Sequence, residues 1–73
     1  MSHRYKVIVQ KEVGGGYSVY VPALPGCASQ GETQDDAMKN IKVAIDLYLE
    51  GLQADKLPIP VDEIQLKEVE AVI

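Results

Sequence analysis

The sequence predicts an α+β domain of order β-β-β-α-β: an antiparallel three-stranded meander, a fourth strand beside the first, and one long helix packed on one face. Three observations carry this. Two runs near the N-terminus, Tyr5 to Glu12 and Tyr17 to Val21, alternate apolar and polar residues around a triple glycine. One apolar stripe at helical spacing runs from Ala37 to Leu52. A second alternation, Glu68 to Ile73, follows it.

In the first run Tyr5, Val7 and Val9 share one face, and Lys6, Ile8 and Gln10 the other. Gly14-Gly15-Gly16 supplies the positive φ angles a hairpin needs. A glycine loop that cradles phosphate needs a helix directly after it. Here a strand follows, with Tyr17, Val19 and Val21 opposite Ser18 and Tyr20. Pro22 has no N–H and ends pairing. Pro25-Gly26 fits the centre of a type II turn. Cys27 to about Gly31 then returns as a third strand.

Thr33 is the expected N-cap, with Asp36 three residues on. Glu32, Asp35 and Asp36 set negative charge at the positive end of the helix dipole. Ala37, Ile41, Ala44, Ile45, Tyr48, Leu49 and Leu52 form the buried stripe of a helix over about 34–52. Pro58 and Pro60 forbid its continuation. The last run sets Val69, Ala71 and Ile73 opposite Glu68 and Glu70, the pattern of a strand. The helical crossover is expected to place it beside the first strand and parallel to it. The opposite sheet face, carrying Ile8 and Tyr20, is left without cover.

With 73 residues the chain forms one domain, residues 1–73, and buries a modest core. Small scaffolds gain support from disulfides, metals or association. The single cysteine excludes an internal disulfide, and His3 with Cys27 does not make a structural metal site. Self-association is the expected device. The net charge of −4 is unevenly spread: residues 1–45 carry five cations and four anions, residues 46–73 seven anions and two cations. An acidic half speaks against a phosphate backbone as ligand and suits a basic protein partner. No apolar run approaches the roughly 20 residues of a membrane span. A lone free cysteine fits a reducing compartment. A cytoplasmic protein is expected.

Candidate chemistry is sparse. Asp35 and Asp36 are explained by the helix start. Cys27 has no histidine near it in sequence, and His3 lies in an exposed tail. Tyr17 and Tyr20 can stack on bases, but only Arg4, Lys6 and Lys11 accompany them, so packing is the expected role. No catalytic residue, cofactor or metal is expected, and the protein reads as a non-enzyme.

Gly15-Gly16-Tyr17, then Val21-Pro22-Ala23-Leu24-Pro25-Gly26-Cys27, then Gly31-Glu32-Thr33, Asp36-Ala37 and Asn40-Ile41, and finally Pro58 with Pro60, resemble the N-terminal domain of HicB-type antitoxins. The resemblance runs from about Tyr5 to Ile73. It implies the β-β-β-α-β arrangement, described in that family as a partial ribonuclease H-like fold. It also implies a function: neutralising a small HicA-type RNA-cleaving toxin, as a homodimer or homotetramer. Longer members carry a C-terminal DNA-binding domain. This sequence shows none, so no direct DNA binding is expected.

The expected partner contacts are Tyr20, Pro22, Leu24 and Pro25 in and before the turn, with Glu50 and Asp55 from the acidic half. Two other functions are weighed against this. One is an orphan oligomerising domain without a toxin. The other is a metal-dependent ribonuclease using Glu12, Asp35, Asp36, Glu68 and Glu70, although no spacing brings three of these together.

Overall fold

The structure, a computed structural model, describes residues 2–73. Strands β1 (Ile8–Lys11), β2 (Tyr17–Tyr20) and β3 (Ala28–Gly31) precede one helix, α1 (Gln34–Ala54). The strands form an antiparallel sheet of order β1-β2-β3. Val9, Val19 and Ser29 lie across the sheet in register, as do Ile8, Tyr20 and Ala28. Because side chains alternate, the Val9–Val19 row faces the helix and the Ile8–Tyr20 row faces away. Val19, Val21, Leu24, Cys27, Ala37 and Ile41 form the buried core.

β1 is shorter than the alternation predicts, and the register explains why. Continuing it would set Lys6 against Pro22, which has no N–H to donate to the ladder. Between β2 and β3 the chain makes two consecutive turns. The Leu24 N–H donates to the Val21 carbonyl at 3.1 Å and the Cys27 N–H to the Leu24 carbonyl at 3.0 Å. Gly26, at φ +82°, holds the i+2 position of the second, as the type II expectation requires.

Thr33 caps α1 in extended conformation, its hydroxyl accepting the Asp36 N–H at 3.1 Å. The helix packs chiefly on β3 and β2. It runs two residues beyond the predicted Leu52 and closes with a Schellman arrangement. The Leu57 N–H bonds the Leu52 carbonyl at 2.8 Å, and the Lys56 N–H bonds that of Gln53 at 3.0 Å. This puts Lys56 at φ +57°, where glycine is normally found. Lys56→Gly is therefore expected to raise stability by about 1 kcal/mol, read as a higher urea midpoint at unchanged slope.

The fourth strand beside the first is not present. Residues 57–73 hold no strand or helix. The alternation from Glu68 to Ile73 is an amphipathic pattern, but a strand exists only where its backbone finds a partner. The N–H of Lys6, at the start of the β1 edge, donates instead to the side-chain carboxylate of Asp62. That carboxylate also accepts the Ile64 N–H at 2.9 Å. The chain is pinned at the edge by a side chain rather than by a backbone ladder.

Candidate interaction surface

The expected partner contacts fall on three different parts of the molecule. Tyr20 lies on the open sheet face, 44% exposed, in the row with Ile8 and Ala28. Pro25 and Gly26 form the exposed tip of the double turn, and Pro22 is half-buried at its base. Leu24 belongs to none of these surfaces. It is wholly buried and points into the core, so it drops out as a contact residue. The turn folds back on itself through Val21 and Cys27, which carries the residue between the two prolines inward.

The helix meets this turn through Tyr48, whose hydroxyl donates to the Pro25 carbonyl at 3.0 Å. At about 100° per residue, Glu50 stands roughly 200° around the helix from Tyr48 and faces away from the turn. Asp55, seven residues on, returns to within about 20° of Tyr48. Helix phase thus puts Asp55 on the Tyr48 side of the helix, about two turns beyond the contact with the turn, and Glu50 on the other side.

The remaining motif residues shape a broad groove of roughly 990 Å³ between the glycine hairpin, the end of β3 and the first turns of α1. Glu12, Tyr17, Gln30, Glu32, Asp36 and Lys39 line it. Gly31 brings β3 against the start of the helix. A side-chain carbon there would stand 2.7 Å from the Asp36 carbonyl carbon and nearer still to the Ala37 amide nitrogen. Asn40 ties the helix to the strand, its amide donating to the Gln30 carbonyl at 2.6 Å. Sequence reasoning missed this groove. Its signal was a triple glycine followed by an isolated glycine at Gly31, which marks close backbone approach.

Asp36 keeps its N-terminal place at the helix, and its N–H, not its carboxylate, makes the cap bond. Among the described residues no group of three histidine, cysteine, aspartate or glutamate side chains is placed to hold a metal ion. Cys27 is buried, and burial raises its thiol pKa, the opposite of what a nucleophile needs. Tyr5 donates to the Pro60 carbonyl at 2.6 Å, and its pKa is raised by burial first and by the nearby Asp62 second. Among the described residues no helix is long and apolar enough to cross a membrane.

Asp62 is the one strongly organised carboxylate. Its pKa is lowered chiefly by the Lys6 and Ile64 N–H bonds, with the Lys6 ammonium at 3.7 Å adding to them. A depressed carboxylate stabilises the fold above its ordinary value, and the gain is lost as pH falls through the lower folded value. Acidification below the ordinary carboxylate range should therefore release residues 62–64 from β1. The measurable sign is faster hydrogen exchange at the Lys6 and Ile64 amides. Asp62→Asn should show that faster exchange at neutral pH.

Comparison with known proteins identifies a family. The family described as HicB-like antitoxin of bacterial toxin-antitoxin system matches residues 5–72. A UPF0150 protein of Synechocystis sp. is 39% identical over 71 residues, covering 97% of this chain and 90% of the relative. A UPF0150 protein of Thermoplasma acidophilum is 47% identical over 62 residues, covering 85% of this chain and 90% of the relative. An uncharacterised protein of Haemophilus phage HP1 is 43% identical over 56 residues, 77% of this chain and 41% of the longer relative. With the family match running from the start of β1's approach through the tail, the chain belongs to the HicB-like antitoxins of bacterial toxin–antitoxin systems.

Proposed function

We propose that this protein neutralises a small HicA-type RNA-cleaving toxin in the cytoplasm by covering its active or RNA-binding surface, and that it does so as a homodimer or homotetramer. The observation that carries this reading is the family match over residues 5–72, which takes in the whole packed body. Charge supports it. An RNA-binding partner presents cations, and residues 46–73 present seven anions against two cations. The proposed contact surface is the Pro22–Gly26 turn with Tyr20 and Asp55. Glu50, on the other side of the helix, is a secondary contact. The protein contributes no catalysis, DNA contact or membrane contact.

The test is co-expression with any small basic protein encoded beside this one, with affinity capture and growth followed together. Capture with rescue of growth is expected, and association should slow as salt rises. Asp55→Lys should weaken capture more than Glu50→Lys does. A folded bait that neither captures nor rescues sinks the antitoxin mechanism and leaves an oligomerising domain. Divalent-metal-dependent RNA cleavage that Asp36→Asn abolishes would instead make the protein a nuclease.

A further inference from the structure

The geometry points to an exchanged C-terminal segment: residues 65–73 of one copy fill the groove between α1 and the segment leading into β1 of a second copy, adding a strand to its β1 edge. The inference rests on the self-association part of the function proposed above and names the surface that performs it.

The first observation is the shape of the chain. A compact domain of this length has a radius of gyration of about 11 Å. This one has 14.2 Å, with extents of 48 × 28 × 19 Å. Residues 65–73 are all exposed, and Val69, at 91%, and Val72, at 87%, are almost fully so. Leu66 and Ile73 are exposed with them. Apolar side chains clustered on one free segment mark an interaction surface.

The second observation is a gap of matching character. The helix packs chiefly on β3 and β2, and beside the segment that leads into β1 it leaves a gap. That gap is a groove of roughly 330 Å³ walled by Tyr5, Val7, Met38, Ile41 and Ile45, with His3, Lys42 and Asp46 at its polar rim. The outer edge of β1 is also unpaired, because the sheet order is β1-β2-β3. An unpaired edge beside an apolar slot is a template for one more strand. Nine residues in extended form reach about 30 Å, more than the length of β1.

Apolar character, with a modest difference in charge, selects the occupant. The tail carries Glu68 and Glu70 against Lys67, while the segment leading into and through β1 carries Arg4, Lys6 and Lys11, of which Lys6 is paired with Asp62; at the groove rim Lys42 is paired with Asp46. The tail and the groove are therefore complementary in apolar character, and the tail's net negative charge meets Arg4 and Lys11 along the edge. The chain's own tail is turned off this edge at its start. Asp62 takes the Lys6 N–H and the Ile64 N–H, so the chain is held by a side chain where a ladder would begin. A second copy meets no such obstruction along Ile8–Lys11. Two copies related by a two-fold axis each give a tail and receive one, a self-complementary contact that closes.

The test uses full-length chains that break one half of the contact each. Met38→Glu charges the groove rim at a residue already 42% exposed. Val69→Asp with Ile73→Asp charges the tail at sites exposed in the single copy, so both variants keep the fold. By light scattering after size exclusion, the wild type is expected as a dimer or larger. Each variant alone should lose this association by a hundredfold or more, on the order of two apolar side chains left out of contact. An equimolar mixture should recover a dimer containing one of each, because one good tail then meets one good groove.

Variants that associate like the wild type overturn the exchange and move self-association to another face, such as the Ile8–Tyr20–Ala28 row. A mixture that stays monomeric while the wild type associates also overturns it. A wild type that is monomeric throughout overturns both the exchange and self-association, and leaves toxin capture to be judged on its own assay.

Discussion

Gly31→Ala should cost about 3 kcal/mol, a large share of the stability a domain of this size holds, and lower the urea midpoint accordingly. The added carbon would meet the Asp36 carbonyl carbon at 2.7 Å and the Ala37 amide nitrogen more closely still. Both are backbone atoms at the start of α1, so no side-chain rotation relieves the contact. The helix must move off β3, and β3 is the strand it packs on most. Ala37 and Ile41 are buried beneath that first stretch of helix and would lose their packing with it. The control is Gly51→Ala. It sits in the same helix over open space, where a methyl group meets nothing within 4 Å. There the higher helix propensity of alanine should raise stability by up to about 1 kcal/mol. Opposite signs for one substitution type, read from urea midpoints, separate close packing from propensity.

This contrast shows what the sequence made legible. Local rules were enough for the helix. Thr33 before an acidic turn, and an apolar stripe from Ala37 to Leu52, placed its start, and its end fell two residues later at Ala54. They were enough for the hairpin and for the turn at Pro25-Gly26, because glycine and proline act within a few residues. They were not enough where a residue's role depends on what lies opposite. Gly31 reads as the end of a strand, and only the packed helix shows why a side chain has no room there. Leu24 sits between two prolines in a turn and reads as exposed, yet it is core. The Glu68–Ile73 alternation reads as a strand, but periodicity reveals a face and not its partner. The surfaces behave alike: Asp55 and Glu50 are equivalent acids in sequence, and the phase of the helix separates them.

Leu24→Ala is expected to cost roughly 3 kcal/mol, within the range for emptying a fully buried leucine site. Leu24 is 0% exposed and among the largest side chains wholly inside the core. Its neighbours there include Val19, Val21, Cys27 and Ile41, so little can collapse into the void without moving the sheet or the helix. A domain of this size holds only about 4–11 kcal/mol in total. The loss should appear as a lower denaturation midpoint and, through the folded fraction, as weaker partner capture. Pro25→Ala, one residue on, should behave differently. Pro25 is exposed, and it holds the helix through its carbonyl, which any residue supplies to Tyr48. Its stability should change by less than about 1 kcal/mol. If the turn tip meets the partner, Pro25→Ala weakens capture while leaving the midpoint nearly unmoved, whereas Leu24→Ala moves both. If capture follows the midpoint alone in both variants, the turn serves the core, and the contact surface lies on the open sheet face around Tyr20.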